Sequence, residues 1–221
     1  MGFHGRVPHQ LGNLSNLQYL DITVGLYPPM HAADISWLAC LSSLMYLDMS
    51  YVNLSSVVDW VRPINMLSHL EVLRLKGVTP SWVWSMKTLK MLNLETCELS
   101  SSFPDGLGNL TLLEGLNLGS NSFKGTLPST LNNTCNLRVL DLNNNLIGVE
   151  IKDLMDKLPS CTRNKFEELY LSYNDITGNL DWLGSQTSLR SLYLSDNKFS
   201  GHLPLVIREM AKLSTLFLSN N

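Results

Sequence analysis

One spacing recurs along most of the chain and constrains its fold more than any other feature. Leu113 begins a unit in which Leu116, Leu118 and Asn121 follow at fixed offsets, and the same offsets restart at Leu137. The first positions of successive units are Leu17, Leu44, Leu70, Leu89, Leu113, Leu137, Phe166, Leu189 and Leu213. The regular units repeat every 24 residues, as from position 113 to position 137. A fixed period of this length is typical of a stacked repeat protein.

Each unit is predicted to supply one short strand. Alternate side chains of a strand lie on the same face, so Leu116 and Leu118 point into the core and the residue between them faces outward. A single unit cannot bury its own apolar edge, and neighbouring units must therefore stack. The expected fold is an α/β solenoid, a right-handed curved superhelix. A parallel sheet forms its concave face, and short 3-10, irregular or helical segments form its convex face.

An asparagine follows the strand in each regular unit. Its side-chain amide can donate and accept hydrogen bonds with the backbone of neighbouring units. We therefore predict a structural asparagine ladder made of Asn121, Asn145, Asn174 and Asn197. The equivalent places in the first half hold Gly25, Val52, Val78 and Cys97. The first half is accordingly expected to be the irregular half.

The whole chain, 1–221, is interpreted as one repeat domain of about nine units. Residues 1–16 match the second half of a unit, 17–112 contain irregular units, and 113–221 contain regular units of 24 residues. At the other end the motif restarts shortly before Asn221. We therefore expect both ends to interrupt a unit, as in an internal segment of a longer protein.

Composition argues against several functional classes. The net charge is −3, and Lys and Arg do not gather into a basic stripe, so a nucleic-acid partner is not expected. No run of about 20 apolar residues is present, so no membrane span is expected within the segment. The first residues also lack the apolar core of a signal peptide.

Catalytic and metal-binding patterns are missing from the sequence. The five histidines fall in different units, without a zinc-protease or Ser/His/Asp arrangement. Asp141, Asn143 and Asn145 begin like a calcium-binding loop, but Leu146 stands in place of the turn glycine and Lys152 in place of the bidentate glutamate. We predict a non-enzymatic protein with no catalytic residue, no metal site and no cofactor.

The four cysteines are Cys40, Cys97, Cys135 and Cys161. Their spacing is too irregular for a zinc site. Buried thiols are the expected state. A disulfide between Cys135 and Cys161 is the alternative, because both residues precede the strand of their unit.

Binding is expected on the concave sheet. The residue between the second and third leucines of each unit faces outward, and we call this set the concave row. Its members are Asp21, Asp48, Arg74, Asn93, Asn117, Asp141, Tyr170, Tyr193 and Phe217. The residues just before the second leucines form a parallel row that begins with Tyr19, Tyr46, Val72 and Met91. An extended face of this kind suits a peptide or protein ligand.

Two groups of candidate contact residues lie on this face. An aromatic patch is predicted from Tyr170, Tyr173, Tyr193 and Phe217, and a basic spot from Arg74 and Lys76 between the acidic Asp48 and Glu95. Tyr19 and Tyr46 are further candidates. Aromatic residues and Arg are favoured anchors because they bury a large area. Tyr is also common in strands, so a purely structural role is the alternative.

The spacing LxxLxLxxNxFxGxLPxxLxNLxxL, nearly complete at 113–137 and at 189–213, resembles the plant-type leucine-rich repeat. The stretches GRVPHQLGNLSNLQYLDI, DISWLACLSSLMYLDMSYVNLSSVVDW and LEVLRLKGV resemble extracellular domains of grass leucine-rich-repeat receptor-like proteins, related to the tomato Cf and Verticillium-resistance type. Members of that family carry a signal peptide, a capping region, many repeats, one membrane span and a short tail. This sequence shows only the repeats.

The resemblance implies a recognition segment of a plant cell-surface receptor-like protein, at the extracellular face of the plasma membrane, with a role in defence or signalling. A co-receptor kinase is a further candidate partner. A secreted inhibitor of a cell-wall-degrading enzyme and a functionless truncated copy are the alternatives. Glycosylation sequons agree with an extracellular location, and they predict sugars on Asn13, Asn53, Asn109 and Asn132.

Overall fold

The structure is a computed structural model that describes residues 3–23, 30–59, 61–77, 81–162 and 165–221. The ladder places at Gly25 and Val78 lie outside these residues.

Across the described residues, nine three-residue strands form one parallel sheet, which we call the central sheet. The strands are Tyr19–Asp21, Tyr46–Asp48, Val72–Arg74, Met91–Asn93, Gly115–Asn117, Val139–Asp141, Glu168–Tyr170, Ser191–Tyr193 and Thr215–Phe217. They lie side by side in chain order. Middle residues pair with one another, so that Leu116 lies between Leu92 and Leu140. Each unit therefore contributes one turn of a solenoid.

Short helices return the chain between the strands. The 3-10 helices within the described residues are His9–Asn13, Ser36–Cys40, Ser81–Ser85, Asp105–Asn109, Ser129–Asn133, Ser160–Thr162, Asp181–Ser185 and Leu205–Glu209. Two α-helices in the described residues, Val61–Asn65 and Ile151–Met155, also lie between successive strands of the central sheet. Several helices begin directly after a proline, such as Pro128 with a φ of −71°. The proline ring fixes φ near this value and so prepares the chain for the helix.

Among the described residues, three smaller parallel sheets lie after the ladder positions. They pair Gly5–Arg6 with Met30–His31, Ser100–Ser101 with Ser122–Phe123, and Thr177–Gly178 with Lys198–Phe199. The chain then turns sharply in the regular units. Gly125 has a φ of +76° and Gly201 a φ of +91°, and glycine adopts such angles without the clash that a Cβ atom causes.

The leucines of the repeat fill one continuous core. Leu113, Leu116 and Leu118 are buried, as are their equivalents in the units from Leu44 to Leu194, whereas those of the last unit, Leu213, Leu216 and Leu218, are partly buried. Burying one such side chain contributes roughly 1.5–3 kcal/mol. Phe103 and Phe123 stack across two units with ring centroids 4.5 Å apart. The predicted solenoid, with a parallel sheet on one face and short helical segments opposite, is confirmed.

The asparagine side chains tie adjacent units together. The Asn145 side-chain nitrogen donates to the carbonyl oxygens of Leu118, Leu142 and Asn143 at 3.1, 3.1 and 3.2 Å. Its Oδ1 accepts the backbone N–H of Phe123 at 3.0 Å. Asn121, Asn174 and Asn197 form the corresponding bonds in their own units.

Asn221, Cys97 and Val52 occupy the same place in other units. Asn221, which the sequence analysis did not assign, donates to the carbonyl oxygen of Leu194 at 3.1 Å and so extends the same pattern. Cys97 is buried, and its thiol donates to the carbonyl oxygen of Leu75 at 3.2 Å. Val52 is also buried and contributes only apolar packing.

The prediction of buried thiols is wrong for three of the four cysteines. Cys135 and Cys161 form a disulfide, with Cα atoms 5.4 Å apart. Cys40 is an exposed thiol. Stacking of adjacent units brings Cys135 and Cys161 together across 26 residues of chain. Their proximity thus comes from the solenoid and not from a local motif.

Candidate binding surface on the concave sheet

The concave row lies in register along the whole central sheet. The third residue of each strand pairs with the third residue of the next, from Asp21 through Asp141 to Phe217. The first residues of the strands, such as Tyr19, form a second row on the same face, because they also alternate with the buried leucines. Side chains from successive units therefore line one continuous surface.

The acidic and amide members of the row have a structural task. In each of these residues Oδ1 accepts the N–H two residues later at 2.8–2.9 Å, as Asn117 does from Gly119. This local bond bends the chain out of the strand. Asp48 is buried in addition, and the Tyr46 hydroxyl donates to it at 3.4 Å. Asp48 is therefore less accessible to a ligand than the exposed members of the row.

Of the two cations in the basic spot, Lys76 has an acidic partner and Arg74 has none among the described residues. Lys76 lies 2.8 Å from the Glu95 carboxylate. Burial opposes protonation of Lys76, but Glu95 outweighs it and raises the pKa of the amine. Arg74 is exposed and forms no ion pair with any described residue. Its guanidinium carbon lies 5.6 Å from the ring centroid of Tyr46, which is a cation–π distance.

The aromatic residues at the C-terminal end form a stack. Ring centroids are 4.8 Å apart between Tyr170 and Tyr193, and 4.7 Å apart between Tyr193 and Phe217. The Tyr170 hydroxyl donates to Glu168 at 2.6 Å. Burial, together with this hydrogen bond, raises the pKa of Tyr170, so its hydroxyl remains protonated at neutral pH.

A second stack lies at the N-terminal end. The rings of Tyr19 and Tyr46 are 3.9 Å apart and nearly parallel. Burial is the main cause that raises the pKa of Tyr46. Aromatic pairs of this geometry add about 0.5–1.5 kcal/mol to packing. Both ends of the concave face therefore carry rigid aromatic groups.

Tyr173 stands apart from the stack. Its side chain is 61% exposed, and its backbone φ is +57°. Asn144 and Asn220 occupy the same place in other units with φ of +52° and +57°. Asparagine tolerates this conformation, whereas it strains a bulky residue. Tyr173 is therefore an exposed aromatic residue in an unfavourable backbone conformation.

A groove crosses the sheet between Arg74 and Tyr170. It measures about 220 Å³, and its lining includes the apolar side chains of Met91 and Val139. The end of the Met91 side chain lies over Gly115, where a Cβ atom would collide with it. The polar residues that line the groove are Asn93, Asn117 and Asp141.

Asp141 is the only carboxyl group among the described residues that line this groove. Burial raises its pKa, the N–H of Asn143 opposes that rise, and the charge of Glu95 adds to it. No described residue forms an ion pair with Asp141. The groove therefore has an uncompensated cation at one end and an uncompensated carboxylate at the other.

None of the helices in the described part of the chain combines the length and the apolar character that a membrane crossing needs.

Comparison with protein families supports the repeat assignment. A family model described as Leucine Rich Repeat matches residues 88–110, 112–134, 136–158 and 188–210. Receptor-like protein 47 of Arabidopsis thaliana is 32% identical over an alignment that covers 39% of this chain and 14% of that protein. The matched region is thus a small part of the relative.

Solved structures share the fold. The ectodomain of the Arabidopsis thaliana membrane receptor kinase GASSHO1/SCHENGEN3, in complex with CASPARIAN STRIP INTEGRITY FACTOR 2, matches 98% of this chain with a TM-score of 0.74 and 23% identity. The plant peptide hormone receptor RGFR1, in complex with RGF2, matches 98% with a TM-score of 0.61 and 22% identity. This chain spans 29% and 42% of those two chains.

Proposed function

We propose, from the premise that this chain is a leucine-rich-repeat protein, that it is a non-enzymatic recognition module for an extended peptide or protein segment. The binding surface is the concave sheet. The module is a segment of a plant cell-surface receptor-like protein that acts in defence or signalling.

The observation that carries this proposal is the arrangement along the concave row. Arg74, the groove beside Met91 and Val139, and the stack of Tyr170, Tyr193 and Phe217 follow one another across successive strands. Arginine and aromatic side chains are frequent binding anchors. A linear ligand that lies across the strands can contact all three in order.

The comparisons support a peptide as the ligand class. RGFR1 is a peptide hormone receptor, and it shares this fold with the present chain. The similarity to Receptor-like protein 47 supports the receptor-like assignment. A co-receptor kinase is proposed as a second partner on the strength of the family resemblance alone.

An extracellular location is supported by covalent and surface features. Disulfides such as that between Cys135 and Cys161 persist mainly in oxidising compartments. The four sequon asparagines, Asn13, Asn53, Asn109 and Asn132, are exposed. We propose that they carry sugars, which endoglycosidase treatment of the secreted chain would remove with a shift in mass.

Peptide selection tests the proposed function. A phage-displayed library of random dodecapeptides is selected on the purified chain, and enriched peptides are synthesised. Arg74→Ala and Phe217→Ala should each weaken their binding at least fivefold. The matched controls are Arg208→Ala for Arg74→Ala and Leu205→Ala for Phe217→Ala. Each replaces an exposed residue of similar character that lies outside the central sheet. They should leave affinity unchanged.

Either of two results contradicts the proposal. One is a selection that yields no specific peptide. The other is a set of peptides whose affinity falls for the control variants as much as for the concave variants.

A further inference from the structure

We propose that Asp141 and Tyr170 form a subsite for a basic side chain of the ligand, and that Arg74 receives an acidic side chain at the opposite end of the same groove. The inference rests on the proposed function and gives the ligand its chemistry: a linear segment with both charges at a defined separation.

The first argument is the state of the Asp141 carboxylate. One oxygen accepts the N–H of Asn143 at 2.9 Å, and no described residue donates to the other. A half-buried carboxylate without a cation is costly, because burial removes water that would solvate it. A ligand cation at this place would supply the missing partner.

The second argument is that no side chain lies between Asp141 and its neighbour Gly119. A Cβ atom at Gly119 would be only 3.2 Å from the Oδ1 atoms of both Asp141 and Asn117. Other units carry a side chain at this place, such as Asn143 or Ser172. The glycine therefore keeps a side chain from crowding the Asp141 carboxylate.

The third argument is the aromatic ring on the next strand. Asp141 pairs with Tyr170 in the sheet register, and adjacent strands are about 4.8 Å apart. Tyr193 stacks against one side of the Tyr170 ring, and Tyr170 also lines the groove that contains Asp141. A guanidinium or ammonium group can contact a ring face and a carboxylate together. Glu168, bonded to the Tyr170 hydroxyl, adds a further negative charge nearby.

Arg74 completes the arrangement at the other end. The register runs from Arg74 through Asn93 and Asn117 to Asp141, which is three strand spacings or about 14 Å. An extended peptide covers this distance in about four residues. Between the two ends, the side-chain nitrogens of Asn93 and Asn117 have no partner among the described residues, and they can donate to carbonyl oxygens of the peptide.

Parallel selections test this inference. The same dodecapeptide library is selected on the unchanged chain, on Asp141→Asn and on Arg74→Gln. Asparagine fits at position 141 because Asn93 and Asn117 already make the equivalent N–H bond in their own units. Asp21→Asn is the matched control, since it makes the same exchange in the same row outside the groove.

The unchanged chain should select peptides with a basic and an acidic residue about four positions apart. Asp141→Asn should abolish only the basic preference, and Arg74→Gln only the acidic one. A peptide selected on the unchanged chain should bind Asp141→Asn at least tenfold more weakly than it binds the unchanged chain. An analogue of that peptide, in which glutamine replaces the peptide's arginine, should bind both chains equally. Asp21→Asn should select the original pattern.

Two outcomes overturn the inference while the proposed function stands. In one, the basic preference persists on Asp141→Asn; in the other, the selected peptides bind the concave face without charged residues. A selection that yields no peptide on any of the chains refutes the proposed function itself, and the subsite with it.

Discussion

The side-chain nitrogen of Asn145 lies 3.1 Å from the carbonyl oxygen of Leu118, 27 residues earlier in the chain. Asn145 is buried, so its removal leaves carbonyl and N–H groups of two units without partners. Asn145→Ala should lower the free energy of unfolding by roughly 1–3 kcal/mol, measured by urea denaturation.

Asn133→Ala is the matched control for this prediction. Asn133 is exposed at the end of the helix Ser129–Asn133, and surface substitutions of this kind change stability by about 0.5 kcal/mol or less. Equal, small losses for Asn145→Ala and Asn133→Ala would contradict a stabilising role for the asparagine bonds between units.

Tyr173→Asn should stabilise the fold and weaken ligand binding. The φ of +57° strains Tyr173, whereas asparagine occupies the same place at Asn144 and Asn220. Relief of this strain should raise the unfolding free energy by about 1 kcal/mol. Thermal and urea unfolding measure the gain, and affinity for a selected peptide measures the loss. A destabilised variant would show that the Tyr173 ring packs more than its exposure indicates.

Asp141→Asn should stabilise the chain at neutral pH. Folding raises the pKa of Asp141, chiefly through burial, so the folded chain holds the proton more tightly than the unfolded chain does. The stabilising effect of protonation is complete below the unfolded pKa of about 3.9 and is lost as the pH rises through the folded value. The free energy of unfolding of Asp141→Asn should therefore exceed that of the unchanged chain at pH 7, and the difference should shrink towards pH 4. An advantage that grew on acidification would contradict this sign.

The disulfide should contribute to stability. It closes a segment of 26 residues between Cys135 and Cys161, and replacing both cysteines by alanine should lower the unfolding free energy by roughly 2–4 kcal/mol. Cys40→Ala, at an exposed thiol, should change it little. If dithiothreitol leaves the urea midpoint of the unchanged chain unaltered, the bridge does not contribute.

The period of the leucines was enough to predict the solenoid, because each leucine offset repeats one buried position. The same period also predicted which residues form the concave row, because equivalent residues of stacked units lie side by side. The pairing of Lys76 with Glu95 and the groove beside Met91 and Val139 were not predicted. Both depend on side chains of neighbouring units that meet only after stacking.

The sequence favours buried thiols and gives the disulfide between Cys135 and Cys161 only as the alternative, which the structure bears out. Cys135 and Cys161 are separated by an irregular segment that contains the helix Ile151–Met155, so their spacing matches no local motif. Asn143, which the sequence analysis names only in the comparison with a calcium-binding loop, also bonds to the next unit: its Oδ1 accepts the backbone N–H of Ser172 at 2.7 Å. Contacts between units are set by three-dimensional stacking, which the period alone does not specify.

Photo-crosslinking tests most directly whether the concave sheet is the binding surface. A benzoylphenylalanine replaces Met91, which is 40% exposed on the concave face, or Met66, which is 56% exposed just after the helix Val61–Asn65. Each chain is irradiated with a peptide selected on the unchanged protein. Crosslinking from position 91 and none from position 66 is the expected result. Crosslinking from position 66 alone would contradict recognition on the concave sheet.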